Sequence, residues 1–495
     1  MPVHRSTPAA MELWMRGAQA LSIVESNGAR IDKTYLDTAI TDVSRRIADL
    51  EAQVRSDKHF AIWRRRFGDK TNPRSPDQIA AVVFQDLGFK SKAKTVGGGR
   101  ESATKAALTE VGIPLTQNYI AASELSKARD TFLTGIRREL VQHDDGCWYV
   151  HPSFNLNTVI TFRSSANSPN YQNQPNRNPE IAEMVRRCYI PRPRHQITEI
   201  DYGQHEGRTP CPYTKDPVLI AYMSDPNSDI HYDMACQIFK LKRGQVSKAL
   251  RNLVKSKYVF ATFYGSYYGL TARDLWDEID SQHLKLEGAD VTVREHITAL
   301  GFTELGLTED EPERGSWAAW IKSIDEDFWG KRFKVYAQWK RDWYDAYLRD
   351  GGFTMLTGFA VNAPLDKKQV CNSPCQGTGF HLLLWSIIKL TDWLKKYKMR
   401  TRIIGEIHDS IEKDTHPVER DDVFHAAGDI MVNQVKKWAP WLNVPLVAEP
   451  ETCPIGESWF HKHALKEANG VYVPANMDKW EKFHGPWALQ CPDEQ

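Results

Sequence analysis

Residues 401–415 read TRIIGEIHDSIEKDT, and this stretch decides the fold. Apolar and polar residues alternate on both sides of His408-Asp409, a pattern typical of two β-strands joined by a tight turn. Ile403 to Ile407 would form the first strand, and Ser410 would begin the second. The stretch therefore predicts a β-hairpin with Asp409 at its tip.

A second aspartate ends another predicted strand. Asp201 closes the run Ile197-Thr198-Glu199-Ile200, and strand ends on one sheet could bring it beside Asp409. Two adjacent carboxylates can hold the pair of Mg²⁺ ions, about 3.5–4 Å apart, that phosphoryl transfer commonly uses. A lone strand-end aspartate is more often a turn former, so either residue alone is a weak signal.

The chain has 495 residues, 41% of them hydrophobic, enough for two or three packed units. Helical periodicity dominates 12–58, with a break at Asn27-Gly28, and recurs over 75–87, 102–141 and 216–350. No run of eighteen apolar residues and no secretory signal occurs, so a cytoplasmic, soluble protein is expected. The eight cysteines show no zinc or CxxC spacing and are expected to be reduced thiols.

The net charge of +1 hides an uneven distribution. Seven basic residues and no acidic one lie between Lys240 and Lys257, and a second basic cluster surrounds the Gly-rich loop 90–100. Such runs suit a polyanionic partner, although each one alone is usually a solvated surface. We expect the loop 90–100 to contact duplex backbone, with a solvated loop as the alternative.

Three motifs carry a family resemblance. The chain resembles the DNA polymerase I-type (family A) enzymes in Asp201 to Arg208, in Arg251 to Gly265, and in Glu406 to Ser410, which occur in the family's order. Supporting matches are Thr161 to Ser165, Pro169 to Asn173, Asn372 to Thr378, and Gly456 to Trp459. The resemblance covers nearly the whole chain.

The resemblance implies an α+β right-hand polymerase fold, with an antiparallel palm sheet and helical fingers and thumb. The expected domains are a thumb at 15–145, a palm at 146–215 and 350–495, and fingers at 216–349. Because the match begins near residue 15, no 3′–5′ exonuclease domain is expected. The implied function is DNA-templated extension of a primer 3′ end with deoxynucleotides. Small size also resembles bacteriophage polymerases, which would place the protein in a bacterial host cytoplasm.

The implied partners are primer-template DNA and deoxynucleoside triphosphates, with replication accessory proteins as further candidates, no membrane, and a monomeric state. The implied cofactor is Mg²⁺, two ions, with Mn²⁺ as an alternative. The catalytic residues would be Asp201 and Asp409, which would ligate the metals together with the Tyr202 carbonyl.

The resemblance also assigns binding residues. Lys255 and Arg251 would hold the triphosphate, with His231 as a further candidate for this role. Phe260 would lie against the sugar and base. Glu206 would crowd a ribose 2′-hydroxyl. The full nucleotide-binding set is Gln204, Glu206, His231, Arg251, Lys255, Phe260 and Tyr264. The DNA-binding set is Arg163, Asn170, Gln172, Gln376 and His408.

The sequence departs from the family pattern at three places. Lys255 lies five residues before Phe260 where four is usual, so either the helix carries a one-residue bulge, which we favour, or Lys257 takes part instead. Ser410 stands where a glutamate is usual, leaving Glu412 or Glu406 as substitutes. Pro210 and Pro212 should disrupt the helix after the first motif unless they fall in a first turn.

Two alternatives stay open. A single-subunit, phage-type RNA polymerase also uses His-Asp-Ser, but Glu206 and Phe260 argue against it. A catalytically impaired nucleic-acid-binding relative would tolerate loss of Asp409, whereas a polymerase would not.

Phenylalanine at position 260 predicts a substrate preference. Because the resemblance places this aromatic ring against the sugar, and a phenylalanine rather than a tyrosine occupies it, we expect discrimination against dideoxynucleotides. The measurement is incorporation of dideoxy against normal nucleotides on a primed template. Equal incorporation would contradict the assignment.

Overall fold

The computed structural model describes residues 4–90, 103–175, 178–308 and 311–490. All but the first residue of the loop 90–100 lies outside the described residues, so its predicted contact with duplex backbone stays a prediction. None of the helices in the described part of the chain combines the length and apolar character needed to cross a membrane.

Fifteen short strands occur in the described residues. They are β1 (Ala29–Ile31), β2 (Val141–Gln142), β3 (Trp148–Val150), β4 (Ser153–Asn155), β5 (Ser165–Asn167), β6 (Gln196–Tyr202), β7 (Leu307–Thr308), β8 (Glu311–Pro312), β9 (Phe353–Thr354), β10 (Ala360–Val361), β11 (Arg402–Ile407), β12 (Ser410–Thr415), β13 (Ala448–Thr452), β14 (His463–Ala468) and β15 (Val471–Pro474).

The N-terminal helices confirm the predicted helical region. They are α1 (Pro8–Asn27), α2 (Lys33–Ser56), α3 (Phe60–Phe67), α4 (Pro76–Ala80), α5 (Lys105–Val111), α6 (Pro114–Lys127) and α7 (Thr134–Arg138). The first helix ends at Asn27 because Gly28 takes a positive φ of 66°, which confirms the predicted break. Ser75 caps α4 by accepting a hydrogen bond from the Gln78 N–H.

The remaining helices are α8 (Pro179–Arg186), α9 (His205–Arg208), α10 (Cys211–Thr214), α11 (Pro217–Ser224), α12 (Ile230–Phe239), α13 (Lys248–Val254), α14 (Phe260–Phe263), α15 (Tyr268–Ser281), α16 (Val293–Ala299), α17 (Trp317–Asp327), α18 (Lys334–Asp350), α19 (Lys367–Lys396), α20 (Arg420–Asp429), α21 (Val435–Trp438) and α22 (Met477–His484). Turns of π-helix join α13 to α14 and α20 to α21, so each of these two pairs is nearly continuous. A further π-helical turn extends α17, and Phe333, with φ −112° and ψ 42°, separates it from α18.

Three apolar cores organise these elements. One lies at the tip of the N-terminal region, around Trp63 and Leu115. A second is formed mostly by residues of the predicted fingers, from Leu219 to Tyr336, together with Cys211 and Val444. The largest joins α1 and α2 to the central sheet and α19. The first N-terminal helix therefore packs on the palm core, and the predicted domain boundaries stay predictions.

The central sheet has six antiparallel strands in the order β11-β12-β6-β13-β14-β15. It confirms the predicted hairpin, since β11 and β12 are joined directly at His408-Asp409. Strand β12 is buried along its whole length, because β11 and β6 pair with its edges and helices cover the sheet. Asp201 pairs in register with Ser410 on one side and with Glu449 on the other.

The register of β11 and β12 shifts between Ile403 and Gly405. Tyr171 packs against the backbone at this irregularity, and a Cβ atom on Gly405 would lie only 2.2 Å from its ring. A side chain there cannot be accommodated without moving Tyr171, which is buried and stacked parallel to Trp459. The glycine is thus required by close approach.

Replacing Gly405 with alanine is expected to destabilise the protein by about 1–3 kcal/mol, because the added methyl group overpacks a rigid site. The measurement is the midpoint of urea unfolding. Gly428→Ala is the matched control: its Cβ would meet nothing closer than 4.0 Å, and it lies inside α20. That variant should be unchanged or more stable by about 0.5–1 kcal/mol. Equal stability of Gly405→Ala and the unaltered protein would contradict this packing account.

Candidate active site

Asp201 and Asp409 lie side by side at one end of the central sheet. Asp201 is the next-to-last residue of β6, and Asp409 lies in the turn before β12. The turn is tight because His408 takes a positive φ of 62°, and the Tyr202 N–H donates a hydrogen bond of 3.2 Å to the Asp409 carbonyl oxygen. The sequence prediction that the sheet brings both aspartates together is confirmed in the structure.

Both carboxylates have a raised pKa. Burial is the main cause for each, and the pKa of Asp201 is raised further by the charges of Asp409, Glu199 and Glu449. One oxygen of Asp201, Oδ1, is buried without a hydrogen-bond partner in the described part of the chain. A buried, unpaired carboxylate oxygen beside a second carboxylate has the chemistry of a ligand pair for a hard divalent cation.

Within the described residues, no third His, Cys, Asp or Glu completes a metal-ligand cluster with this pair. This arrangement fits Mg²⁺, which usually keeps several waters and is held through one or two carboxylates together with substrate phosphates. The Tyr202 side chain is buried, and its hydroxyl donates to the Met431 carbonyl oxygen at 3.1 Å, so only its backbone faces the pair.

A layer of buried acids lies behind the pair. Glu412 accepts a 2.5 Å hydrogen bond from the Ser410 hydroxyl, and Glu406 accepts one of 2.6 Å from Gln172 Nε2 and another from Ser164. Burial raises the pKa of Glu406 to about 7 and also raises that of Glu412. Both glutamates are fully buried. The prediction that one of them substitutes for the glutamate usual at position 410 stays a prediction.

Lys462 and Trp459 were not predicted to belong to this region. Lys462 Nζ lies 2.8 Å from Glu199 Oε2 and 2.5 Å from Glu451, and the Trp459 indole N–H donates to Glu199 at 3.2 Å. Glu199 itself could have been found, because residues two apart on a strand share a face, and Asp201 follows it by two. No local signal points to Lys462, which reaches the acid from a distant segment.

The helix that faces the pair contains the predicted bulge. Residues 255–259 form a π-helical turn between α13 and α14, as the five-residue spacing of Lys255 and Phe260 requires. Lys255 Nζ lies 5.5 Å from the centre of the Phe260 ring, and its charge lowers the pKa of Asp409. Lys257 is instead ion-paired with Glu278 at 3.1 Å. The geometry therefore favours Lys255 over Lys257 as the residue directed at the site.

Two further predicted residues contact Phe260. The His231 ring lies 5.1 Å from it in an edge-to-face contact, and the Tyr264 ring stacks on it at 6.2 Å. Burial, together with the charges of Arg251 and Lys255, lowers the pKa of His231 to about 4, so this histidine is neutral at physiological pH. Arg251 Nε donates to Asp229 at 2.6 Å.

Glu206 and Gln204 lie on the opposite wall, at the start of α9, and both are exposed. Burial raises the pKa of the Tyr264 phenol, and the charge of Glu206 and a hydrogen bond to it raise it further, so the two walls are in contact. The helix after the first motif is interrupted at Thr209-Pro210: α9 ends at Arg208, Pro210 caps α10, and only Pro212 falls in a first turn, that of α10.

Arg208 anchors this wall. Its guanidinium is buried and donates to the carbonyl oxygens of Gly203 at 2.9 Å, Met223 at 2.6 Å and Pro445 at 2.5 Å. It thereby joins the first motif to α11 and to the segment before β13.

The predicted DNA-binding residues differ in how close they lie to the aspartates and in how exposed they are. Arg163 and His408 lie beside the aspartates, since the charge of Arg163 lowers the pKa of both His408 and Asp409. Gln376 is half-buried on α19, and Asn170 is exposed, with its side chain accepting a 3.1 Å hydrogen bond from the Asn173 N–H. Gln172 is buried and bound to Glu406, so its amide is directed into the palm.

Comparison with known proteins identifies the family. Residues 34–291, more than half of the chain, match the family described as DNA polymerase family A. The chain therefore belongs to DNA polymerase family A.

The chain is similar to the thermostable DNA polymerase I of Thermus aquaticus, at 25% identity over 441 residues, covering 89% of this chain and 46% of that protein. It is also similar to DNA polymerase I of Chloroflexus aurantiacus, at 26% identity over 468 residues, covering 91% and 43%. The chain thus spans about half the length of the curated relatives it matches.

A solved structure shows the same fold. The POL domain of Pol1 from M. smegmatis, in complex with DNA primer-template and dNTP, superposes with a TM-score of 0.69 at 21% identity, covering 90% of this chain and 70% of that one. The predicted α+β right-hand fold is confirmed.

His381 on α19 supports the Arg163 segment and yields a prediction. One ring nitrogen, Nε2, lies 3.2 Å from the Phe162 carbonyl oxygen, and Nδ1 lies 2.7 Å from the Thr357 hydroxyl. Burial lowers the pKa of His381 to about 3, against about 6.5 in the unfolded chain. Above pH 6.5 the His381 imidazole is neutral in both the folded and the unfolded chain. Between pH 6.5 and about pH 3 only the unfolded chain binds the proton, so the free energy of unfolding decreases as the pH is lowered through this range.

The expected contribution of His381 to this loss between pH 7.5 and pH 5 is about 2 kcal/mol. His381→Gln should therefore lose about 2 kcal/mol less than the unaltered protein over that range, measured by urea unfolding at both pH values. His425→Gln, which replaces an exposed histidine, should show the unaltered pH dependence. Identical pH dependence of His381→Gln and His425→Gln would show that His381 is not held neutral.

Proposed function

We propose that this protein is a DNA-templated DNA polymerase that extends a primer 3′ end with deoxynucleotides. Membership of the family supports this activity, and the observation that carries it is the adjacency of Asp201 and Asp409 at the sheet end, facing Lys255 and Phe260. Two carboxylates opposite a cation and an aromatic ring form a site that can take a metal-bound triphosphate together with its base.

The proposed cofactor is Mg²⁺, held by Asp201, Asp409 and the Tyr202 carbonyl oxygen, with Mn²⁺ as a substitute. The chemistry that the bound cations supply is neutralisation of charge on the triphosphate and activation of the primer hydroxyl. The raised pKa of Asp201 supports this proposal, because after burial its largest cause is the charge of Asp409, and a bound cation would relieve that repulsion.

The remaining site residues position the substrates. Lys255 makes no ion pair with any described residue and is available to the triphosphate, whereas Arg251 would have to share its guanidinium with Asp229. Phe260 would lie against the sugar and base, with His231 fixing the orientation of its ring.

Glu206 and Tyr264, in contact with each other, would close the space beside the sugar and exclude a 2′-hydroxyl. Arg163 and His408 would contact the primer or template next to the carboxylates. We propose primer-template DNA and deoxynucleoside triphosphates as the partners, since the structural neighbour was solved with both. The lack of a proofreading domain, the accessory proteins, the monomeric state and the cytoplasmic location stay predictions.

A primer-extension assay tests the proposal. With Mg²⁺ and a primed DNA template, the unaltered protein should extend the primer with deoxynucleotides and not with ribonucleotides. Asp409→Asn should lower the rate by about 1000-fold or more, because a metal ligand contributes several kcal/mol to stabilising charge in the transition state. Asp392→Asn is the matched control, since this aspartate is exposed and pairs with Arg16 at the surface.

Each contrary result selects an alternative. Extension by Asp409→Asn at the unaltered rate would remove the metal assignment. Extension with ribonucleotides as readily as with deoxynucleotides would favour the RNA polymerase reading. Tight binding of the primed template without extension by the unaltered protein would favour the catalytically impaired relative.

A further inference from the structure

The helix that carries Phe260 ends in a turn held by two side chains from outside the helix. The last carbonyl groups of a helix have no partner within it. Here the Thr262 carbonyl oxygen accepts the Gly265 N–H at 3.1 Å and, from α18, the ammonium of Lys340 at 3.0 Å. The Tyr264 carbonyl oxygen accepts a hydrogen bond of 3.4 Å from Asn372 on α19.

Lys340 reaches this carbonyl through an aromatic enclosure. Its Nζ lies 3.9 Å from the centre of the Trp329 ring and 5.2 Å from that of Tyr336. No described carboxylate lies within ion-pair distance of it, and its pKa is raised only by Cys371 and, from farther away, by Asp325 and Cys375. Burial of the ammonium outweighs these effects and lowers the pKa of Lys340 to about 8.

An ammonium without a carboxylate partner is costly to bury, so the contacts that remain must hold it. A cation favours the C-terminal end of a helix, where carbonyl oxygens carry partial negative charge, and it is also attracted to aromatic faces. Both conditions are met at Lys340. Among the described residues, the Lys340 ammonium has one hydrogen-bond acceptor, the Thr262 carbonyl oxygen, which belongs to the helix of the proposed nucleotide site.

This end of the helix determines where its aromatic residues lie. Thr262 is two residues after Phe260 and two before Tyr264, and the rings of those residues stack at 6.2 Å. The π-helical turn at 255–259 interrupts the regular hydrogen bonding on the other side of Phe260. The contacts at its C-terminal end therefore hold the segment in addition to the burial of Tyr258 and Val259 before Phe260.

We propose that Lys340 is a positioning residue for the incoming nucleotide: by holding the Thr262 carbonyl, it fixes the helix end from which Phe260 and Tyr264 face the substrate. Lys340 does not itself touch the nucleotide. The proposal rests on the proposed polymerase function, because it concerns the same site.

The test is nucleotide binding to the protein on a primer-template whose primer ends in a dideoxynucleotide, so that no turnover occurs. Lys340→Met should raise the Kd of the next complementary deoxynucleotide about tenfold, since it leaves a carbonyl without its buried partner. The Kd of the primer-template should not change. Lys340→Arg, which keeps the charge and the donor, should recover a large part of the nucleotide affinity.

Lys331→Met is the matched control, because Lys331 is exposed and pairs with Asp327 at 3.0 Å on the same stretch of fingers. It should bind the nucleotide as the unaltered protein does. On an extendable primer, Lys340→Met should raise the KM for the nucleotide about tenfold and change kcat less than threefold.

A lower melting temperature for Lys340→Met with an unchanged nucleotide Kd would overturn the proposal, as would equal affinities for the Met and Arg variants. If Lys340→Met does not fold, Lys340→Gln replaces it. Its amide nitrogen carries no charge and lies one bond nearer the backbone than Nζ, so it should not reach the Thr262 carbonyl oxygen and should raise the nucleotide Kd. A Kd equal to that of the unaltered protein would be decisive against a positioning role. Failure of the proposed function would appear separately, as nucleotide binding by the unaltered protein without primer extension.

Discussion

The structure depends on the pairing of β6 with β12, two strands far apart in the sequence. Their register places Asp201 opposite Ser410, and the hydrogen bond from the Tyr202 N–H to the Asp409 carbonyl oxygen joins the strand end to the hairpin turn. A shift of one residue would turn one aspartate to the other face of the sheet. The acidic pair, and hence the position of every other site residue relative to it, is therefore set by backbone pairing.

This strand pairing brings several carboxylates together in the buried region behind Asp201 and Asp409. Glu199, Glu406 and Glu412 lie behind the aspartates, and burial raises the pKa of Glu406 and Glu412. Lys462 offsets the charge from behind through its ion pair with Glu199, and Arg163 offsets it in front. Burying several carboxylates together costs free energy, and a fold selected for stability alone would avoid it. The buried acids therefore indicate a site adapted to cations. The fingers helix then supplies the opposite charge.

Local patterns predicted much of this. The alternation around His408-Asp409 predicted the hairpin, Gly28 predicted the helix break, and the spacing of Lys255 and Phe260 predicted the π-helical turn. The contacts that were missed join segments distant in the sequence, as Lys462 does with Glu199 and Lys340 with the Thr262 carbonyl. The direction of the Gln172 amide was likewise set by a distant acid, Glu406, which no local pattern reveals.

Asp201 and Asp409 are proposed to hold together the divalent cations of a polymerase site. The most direct measurement is a crystal structure with a dideoxy-terminated primer-template, the next complementary nucleotide and Mn²⁺, using anomalous scattering to locate the metal. The account predicts anomalous peaks between the two carboxylates and the triphosphate. A bound nucleotide whose only metal lies away from both aspartates would contradict it.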